Sequence, residues 1–119
     1  MVFVINTSLK MSTGKIATQT AHAALSLYIN ANKNPKKHLL IFNQLDTYVR
    51  LGQAKIVLKG IDDIHLVGLE KQAQESDLVT CLIRDAGRTE IPTGSITCLG
   101  IFGENNKIDN ITGTLKLLK

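Results

Sequence analysis

Apolar, strand-like runs fall at residues 2–5, 55–60, 78–84 and 96–103, and the spacing between them most narrows what this chain can fold into. None of the runs alternates cleanly between apolar and polar side chains. A strand with one wet face does alternate, so these strands are expected in a sheet covered on both sides. Parallel neighbours need a crossover of helical length. The first two gaps are long enough for one. The third, residues 85–95, carries no helical periodicity, which predicts that one of the last two strands runs antiparallel.

The gaps read as helices for local reasons. Residues 15–32 are rich in alanine, the best helix former. At about 100° per residue, Ile16, Thr20, Ala23, Ala24, Leu27 and Tyr28 share one face, flanked by Ala17 and Ala21. Lys15, Gln19, His22 and Ser26 form a polar stripe on another. A second helix is expected over residues 35–51, with Leu39, Phe42, Leu45 and Val49 as its apolar positions and Gly52 as its stop. Asp62 can cap a third over residues 63–76. A short helix is expected over residues 105–113, and the tail beyond it has no assignment. The expected fold class is α/β: a three-layer α/β/α domain with a four-stranded mixed sheet and element order βααβαββ.

At 119 residues and 44% hydrophobic, the chain fits one domain over residues 1–119 with a core of its own. Cys81 and Cys98 lie in apolar runs and read as buried free thiols, with no metal site or disulfide. The net charge of +4 fits a phosphate-bearing partner without requiring one. Lys33, Lys36 and Lys37 read as a solvated loop. No signal segment or membrane span is visible, so a soluble, cytoplasmic protein with no membrane partner is expected.

Ligands of open α/β sheets bind beyond the carboxyl ends of strands. Three segments are expected to meet there: the loop ending at Gly14-Lys15, residues 84–89, and residues 93–97. Lys15 at a helix start opposes the macrodipole and calls for an anion beside it. The stretch Ser-Thr-Gly-Lys lacks the first glycine and the trailing hydroxyl of a phosphate-binding loop, which argues against a P-loop. Asp85, flanked by Arg84 and Arg88, can hold or deprotonate a water. Thr89, Ser95 and Thr97 offer hydroxyls, and His22 is a candidate base. Lys15 and Asp85 are expected to face each other across one pocket.

The segments LKMSTGKIATQTAHAAL, GQAKIVLK, LIRDAGRTEIPTGSITCLGI and ITGTLKLL run in order through nearly the whole chain. Together they resemble the second, archaeal and eukaryotic, class of peptidyl-tRNA hydrolase. The resemblance implies an esterase acting on peptidyl-tRNA shed by stalled ribosomes, with no required cofactor and a homodimer as the common assembly. It implies catalytic roles for Lys15, Asp85 and Thr89, with Thr97 or Ser95 and His22 contributing. Lys10, Arg84, Arg88, Lys116, Gln19 and Ser95 would contact the nucleic acid. The sequence departs from the family at Ser12-Thr13, where Gly-Lys is usual, and at Glu90, where Gln is usual. A non-catalytic RNA-binding or adaptor domain on the same fold is the alternative; it predicts no ester cleavage. A structural interaction module is a third reading, which predicts that the cleft residues can be replaced without effect.

Overall fold

The computed structural model describes residues 1–33, 38–86 and 91–119. Strand β1 (Val2–Asn6) leads through a 3-10 turn at Thr7–Leu9 into helix α1 (Thr13–Ala31). Helix α2 (His38–Arg50), strand β2 (Ile56–Gly60), helix α3 (Asp63–Glu75) and strands β3 (Val79–Arg84) and β4 (Ile96–Phe102) follow, and helix α4 (Asn105–Thr112) closes the series. The observed order therefore carries one helix beyond the expected βααβαββ, on the segment where a short helix was anticipated.

The four strands lie in the order β2-β1-β4-β3. β1 and β2 are parallel, while β4 runs antiparallel to both β1 and β3. Three strands thus end at the same edge of the sheet, where β4 begins. The tail returns along the outside of β2: Lys59 N–H donates to the Lys116 carbonyl at 2.9 Å and Leu118 N–H to the Val57 carbonyl at 2.9 Å.

The missing alternation has its cause in the two cores. Val2 and Val4 pack with Leu58, Leu66, Leu69, Leu99 and Ile101 on the α3 side. Phe3 and Ile5 pack with Ala23, Leu27, Leu45 and Cys98 on the α1 side. Successive side chains of β1 point to opposite faces, and both faces are dry.

The face of α1 differs from the expectation. Its buried line is Gln19, Ala23, Leu27 and Ala31, while Tyr28 is 49% exposed. Lys15, Gln19, His22 and Ser26 do share one side of the helix, with His22 exposed. That side turns toward the end of β3, and Gln19 enters the interior because a hydroxyl meets it there. α1 also sits very close to the sheet. A Cβ at Gly100 would lie 2.8 Å from Cys81 Sγ and 2.9 Å from Leu27 Cδ1, so only glycine fits under the helix at that point. On α2, Leu45 is buried and Val49 is 44% exposed, while the side chains of Leu39 and Phe42 lie outside the described residues, as do Pro35, Lys36 and Lys37.

Cys81 and Cys98 are both buried and unpaired, and Cys81 Sγ donates to the Ala23 carbonyl at 3.3 Å. Burial pushes the Cys81 thiol up to about 11 and moves that of Cys98 in the same direction. Both thiols should resist alkylation at pH 8 in the folded protein and react once urea unfolds it, as mass spectrometry would show. For Cys81 the folded value exceeds the unfolded one. Its stabilising contribution is therefore complete below pH 9.0 and is lost as the pH rises toward about 11.

Candidate active site

The site begins with a helix cap. Ser12 is extended, and its hydroxyl accepts the Lys15 N–H at 3.3 Å, which starts α1 two residues before Lys15. The family departure at Ser12 thus serves as the cap. Lys15 lies in the first turn, where a cation opposes the helix macrodipole. The anion that compensates it comes from within the chain: the Lys15 ammonium donates to Asp85 Oδ1. The two side chains are only 10% and 4% exposed. Two charges withdrawn from water to this degree are held by each other, and removing one strands the other. Lys15 and Asp85, 70 residues apart in sequence, thus share one site.

Asp85 is fixed by the backbone that follows β3. Its N–H donates to the Ser95 carbonyl at 2.8 Å, and its carbonyl accepts Gly94 N–H at 2.7 Å. Ser95 Oγ donates to the Pro92 carbonyl at 2.7 Å, and the Arg84 guanidinium reaches the Gly94 carbonyl at 3.4 Å. Ser95 therefore shapes the connection between strands.

A β-bulge completes the floor. Ile83 pairs with Cys98, but Arg84 pairs with Ile96, so Thr97 is the extra residue. Thr97 and Cys98 consequently both face α1, which regular alternation forbids. Thr97 is fully buried, and its Oγ1 lies 2.6 Å from Gln19 Oε1 and 3.3 Å from the Ile83 carbonyl. The Thr97 hydroxyl is thus committed inside the fold, beneath Gln19. Thr97→Val leaves a buried amide oxygen without its donor. It is expected to lower stability by about 1–3 kcal/mol in a urea titration.

Above this floor lies a cleft of about 440 Å³ lined by Lys15, Thr18, Gln19, His22 and Ser26 of α1 and by residues 82–86. His22 is an exposed member of its wall, two turns along α1 from Lys15. Lys10 is exposed in a left-handed backbone conformation at the end of the 3-10 turn. Arg84 is exposed at the end of β3. Lys116 stands apart, beyond β2 at the opposite edge of the sheet. Gly87, Arg88, Thr89 and Glu90 lie outside the described residues.

Sequence reasoning did not single out Asn6, which is 2% exposed. Its amide donates to the Ile96 carbonyl at 2.8 Å, next to the bulge, and its Oδ1 accepts both the N–H and the hydroxyl of Ser8. It ties the start of β4 to the loop leading to Lys15. The available signal was a polar residue ending an apolar strand and followed by two hydroxyls.

Among the described residues, no three His, Cys, Asp or Glu side chains are grouped to hold a metal ion, and no helix is long and apolar enough to cross a membrane.

Comparison with known proteins defines the class. The model of the family described as Peptidyl-tRNA hydrolase PTH2 matches residues 1–118. A probable peptidyl-tRNA hydrolase 2 of Caenorhabditis elegans is 46% identical over 118 residues; that alignment covers 99% of this chain and 36% of the nematode protein, so the chain spans about a third of that relative. Peptidyl-tRNA hydrolases of Staphylothermus marinus and Methanopyrus kandleri are 42% and 40% identical, with 98% and 99% of this chain and 93% and 97% of theirs aligned. The chain belongs to the peptidyl-tRNA hydrolase PTH2 family, a family of enzymes.

Proposed function

We propose that this chain cleaves the ester joining a peptide to the terminal ribose of peptidyl-tRNA, that it does so in the cleft around Lys15 and Asp85, and that residues 1–119 form one hydrolase domain. The observation that carries this reading is the nearly buried Lys15–Asp85 pair in the wall of a polar cleft that runs along the last residues of β3. Ester hydrolysis needs a placed water, a proton acceptor and a donor for the oxyanion. Asp85 accepts a proton as the water oxygen attacks the ester carbonyl. The Lys15 ammonium stabilises the tetrahedral oxyanion. Collapse expels the ribose hydroxyl oxygen, which takes the proton from Asp85. The family resemblance adds Thr89 as a second holder of the water. Gln19 and the buried Thr97 act as positioning residues for α1, and His22 lies where it can pass a proton along the cleft wall.

Lys10, Arg84 and Arg88 grip the phosphates of the acceptor end, with Ser95 in the connecting turn, while Lys116, beyond β2, contacts only RNA that reaches round to the opposite edge of the sheet. Phosphate contacts position RNA without reading its sequence. Arg84→Ala and Lys10→Ala should each raise KM, leave kcat nearly unchanged and reduce the slope of log affinity against log salt by about 1. A cytoplasmic location and a homodimer complete the reading; exposed Leu25, Tyr28 and Ile29 on α1 are apolar surface that a second copy can cover.

The deciding experiment is release of peptide from N-blocked peptidyl-tRNA by the purified protein, with free aminoacyl-tRNA as the control. Cleavage of the first and sparing of the second is expected. Binding without cleavage would overturn the enzymatic reading in favour of a non-catalytic RNA-binding domain.

A further inference from the structure

We propose that the peptide part of the substrate binds by adding a short parallel strand to the open edge of β3. The inference rests on the hydrolase reading above and assigns the substrate's peptide to a place in that same cleft. β3 is an edge strand. In an antiparallel pair, alternate residues bond the neighbouring strand, and those between point both main-chain groups outward. Asp85 makes its two main-chain bonds on the β4 side. The Thr80 carbonyl points the other way and accepts Asn30 Nδ2 at 3.0 Å. The alternation therefore leaves Leu82 and Arg84 with their N–H and C=O groups facing away from β4.

The two ends of this edge are treated differently. At Thr80, far from the reacting pair, side chains of two helices close it: Asn30 takes the carbonyl and Gln74 Nε2 lies 3.4 Å from the hydroxyl. At Leu82 and Arg84 the edge is part of the cleft wall, opposite the polar stripe of α1 that runs from Lys15 to Ser26. An exposed pair of main-chain groups is a template for another strand, and natural edges are usually blocked. Among the described residues, the blocked part lies away from the site and the part left open runs directly into Asp85.

A peptidyl-tRNA hydrolase meets peptides of any sequence, so recognition through main-chain hydrogen bonds suits its substrate better than side-chain pockets. The direction is fixed by the chemistry. The esterified residue must lie at Asp85, so the peptide runs back along β3 with its carboxyl end at the carboxyl end of the strand. That is a parallel pairing, in which the residue opposite Ile83 donates its N–H to the Leu82 carbonyl and accepts Arg84 N–H. From Leu82 to Asp85 the strand advances about 10 Å, which admits about three residues before Asn30 ends the edge.

The test compares wild-type kcat/KM on one tRNA carrying N-acetyl-trialanine, the same peptide N-methylated at the second or third residue from the ester, and N-acetylalanine alone. Methylation at one of the two positions and truncation to one residue should each cost about tenfold, the worth of one or two hydrogen bonds. Ser26→Tyr, which narrows the far end of the cleft, should slow the trialanine substrate while sparing the N-acetylalanine one. Equal rates on all four substrates overturn the proposal while leaving the hydrolase intact. A Ser26→Tyr variant equally slow on every substrate assigns that end of the cleft to RNA and also overturns it. Failure to cleave any of them overturns the hydrolase reading, and this inference with it.

Discussion

Lys15→Met is expected to lower kcat/KM on peptidyl-tRNA by a factor on the order of 10²–10³, and Asp85→Asn by a similar factor, in single-turnover release of labelled peptide. The proposed chemistry gives each group a separate task. The ammonium meets negative charge that grows only in the transition state, so its loss falls on kcat more than on KM. The carboxylate removes a proton from water, which the amide cannot do. Yet the two are also partners in the ground state, since Lys15 donates to Asp85. The double variant should therefore fall far short of the product of the single losses, because each single change already disables the unit. Both substitutions are near-isosteric, and circular dichroism should show the fold retained. Lys15→Arg keeps the charge but not the shape in a place where the lysine side chain is only 10% exposed. It should recover little activity. Losses below about fivefold for both single variants would show that the pair is only a structural tie.

Gly100→Val should destabilise the protein by about 3 kcal/mol, seen as a lower urea midpoint and a Tm drop on the order of 10 °C. The cause is the closeness of α1 to β4. Even a methyl group there would meet Cys81 Sγ at 2.8 Å, Leu27 Cδ1 at 2.9 Å and Leu27 Cγ at 3.1 Å. Leu27 is fully buried and cannot swing aside. Leu27→Ala alone should cost about 2–5 kcal/mol as a cavity. Combined with Gly100→Ala it should cost less than the sum by about 1 kcal/mol, because the new methyl fills part of the space the leucine left. Strict additivity would show that helix and strand are not in contact there. Since α1 also carries Lys15, the Gly100→Val protein should lose activity at temperatures where it remains folded.

The strands and helices were legible because their causes are local. Alanine content marked α1, Asp62 marked the start of α3, where its carboxylate accepts His65 N–H at 2.8 Å, and apolar runs without alternation marked a sheet buried on both sides. The helical wheel of α1 was rotated for a reason the wheel cannot contain. Gln19 counts as polar, but Thr97, 78 residues away, supplies a hydroxyl that lets it be buried. Lys15, 70 residues from Asp85 in sequence, pairs with it as expected, while Arg88 lies outside the described residues.

Residue types and spacing by themselves determined the α/β class, the antiparallel last connection and the short roster of polar residues at the strand ends. They did so because period, capping and crossover length are properties of a few neighbouring residues. Only the tertiary structure decided that Lys15 and Asp85 touch, that a bulge turns Thr97 toward Gln19 and that, among the described residues, helix side chains close the edge of β3 at Thr80 and not at Leu82. Each of these depends on the register between distant segments, and register is set by packing across the whole sheet.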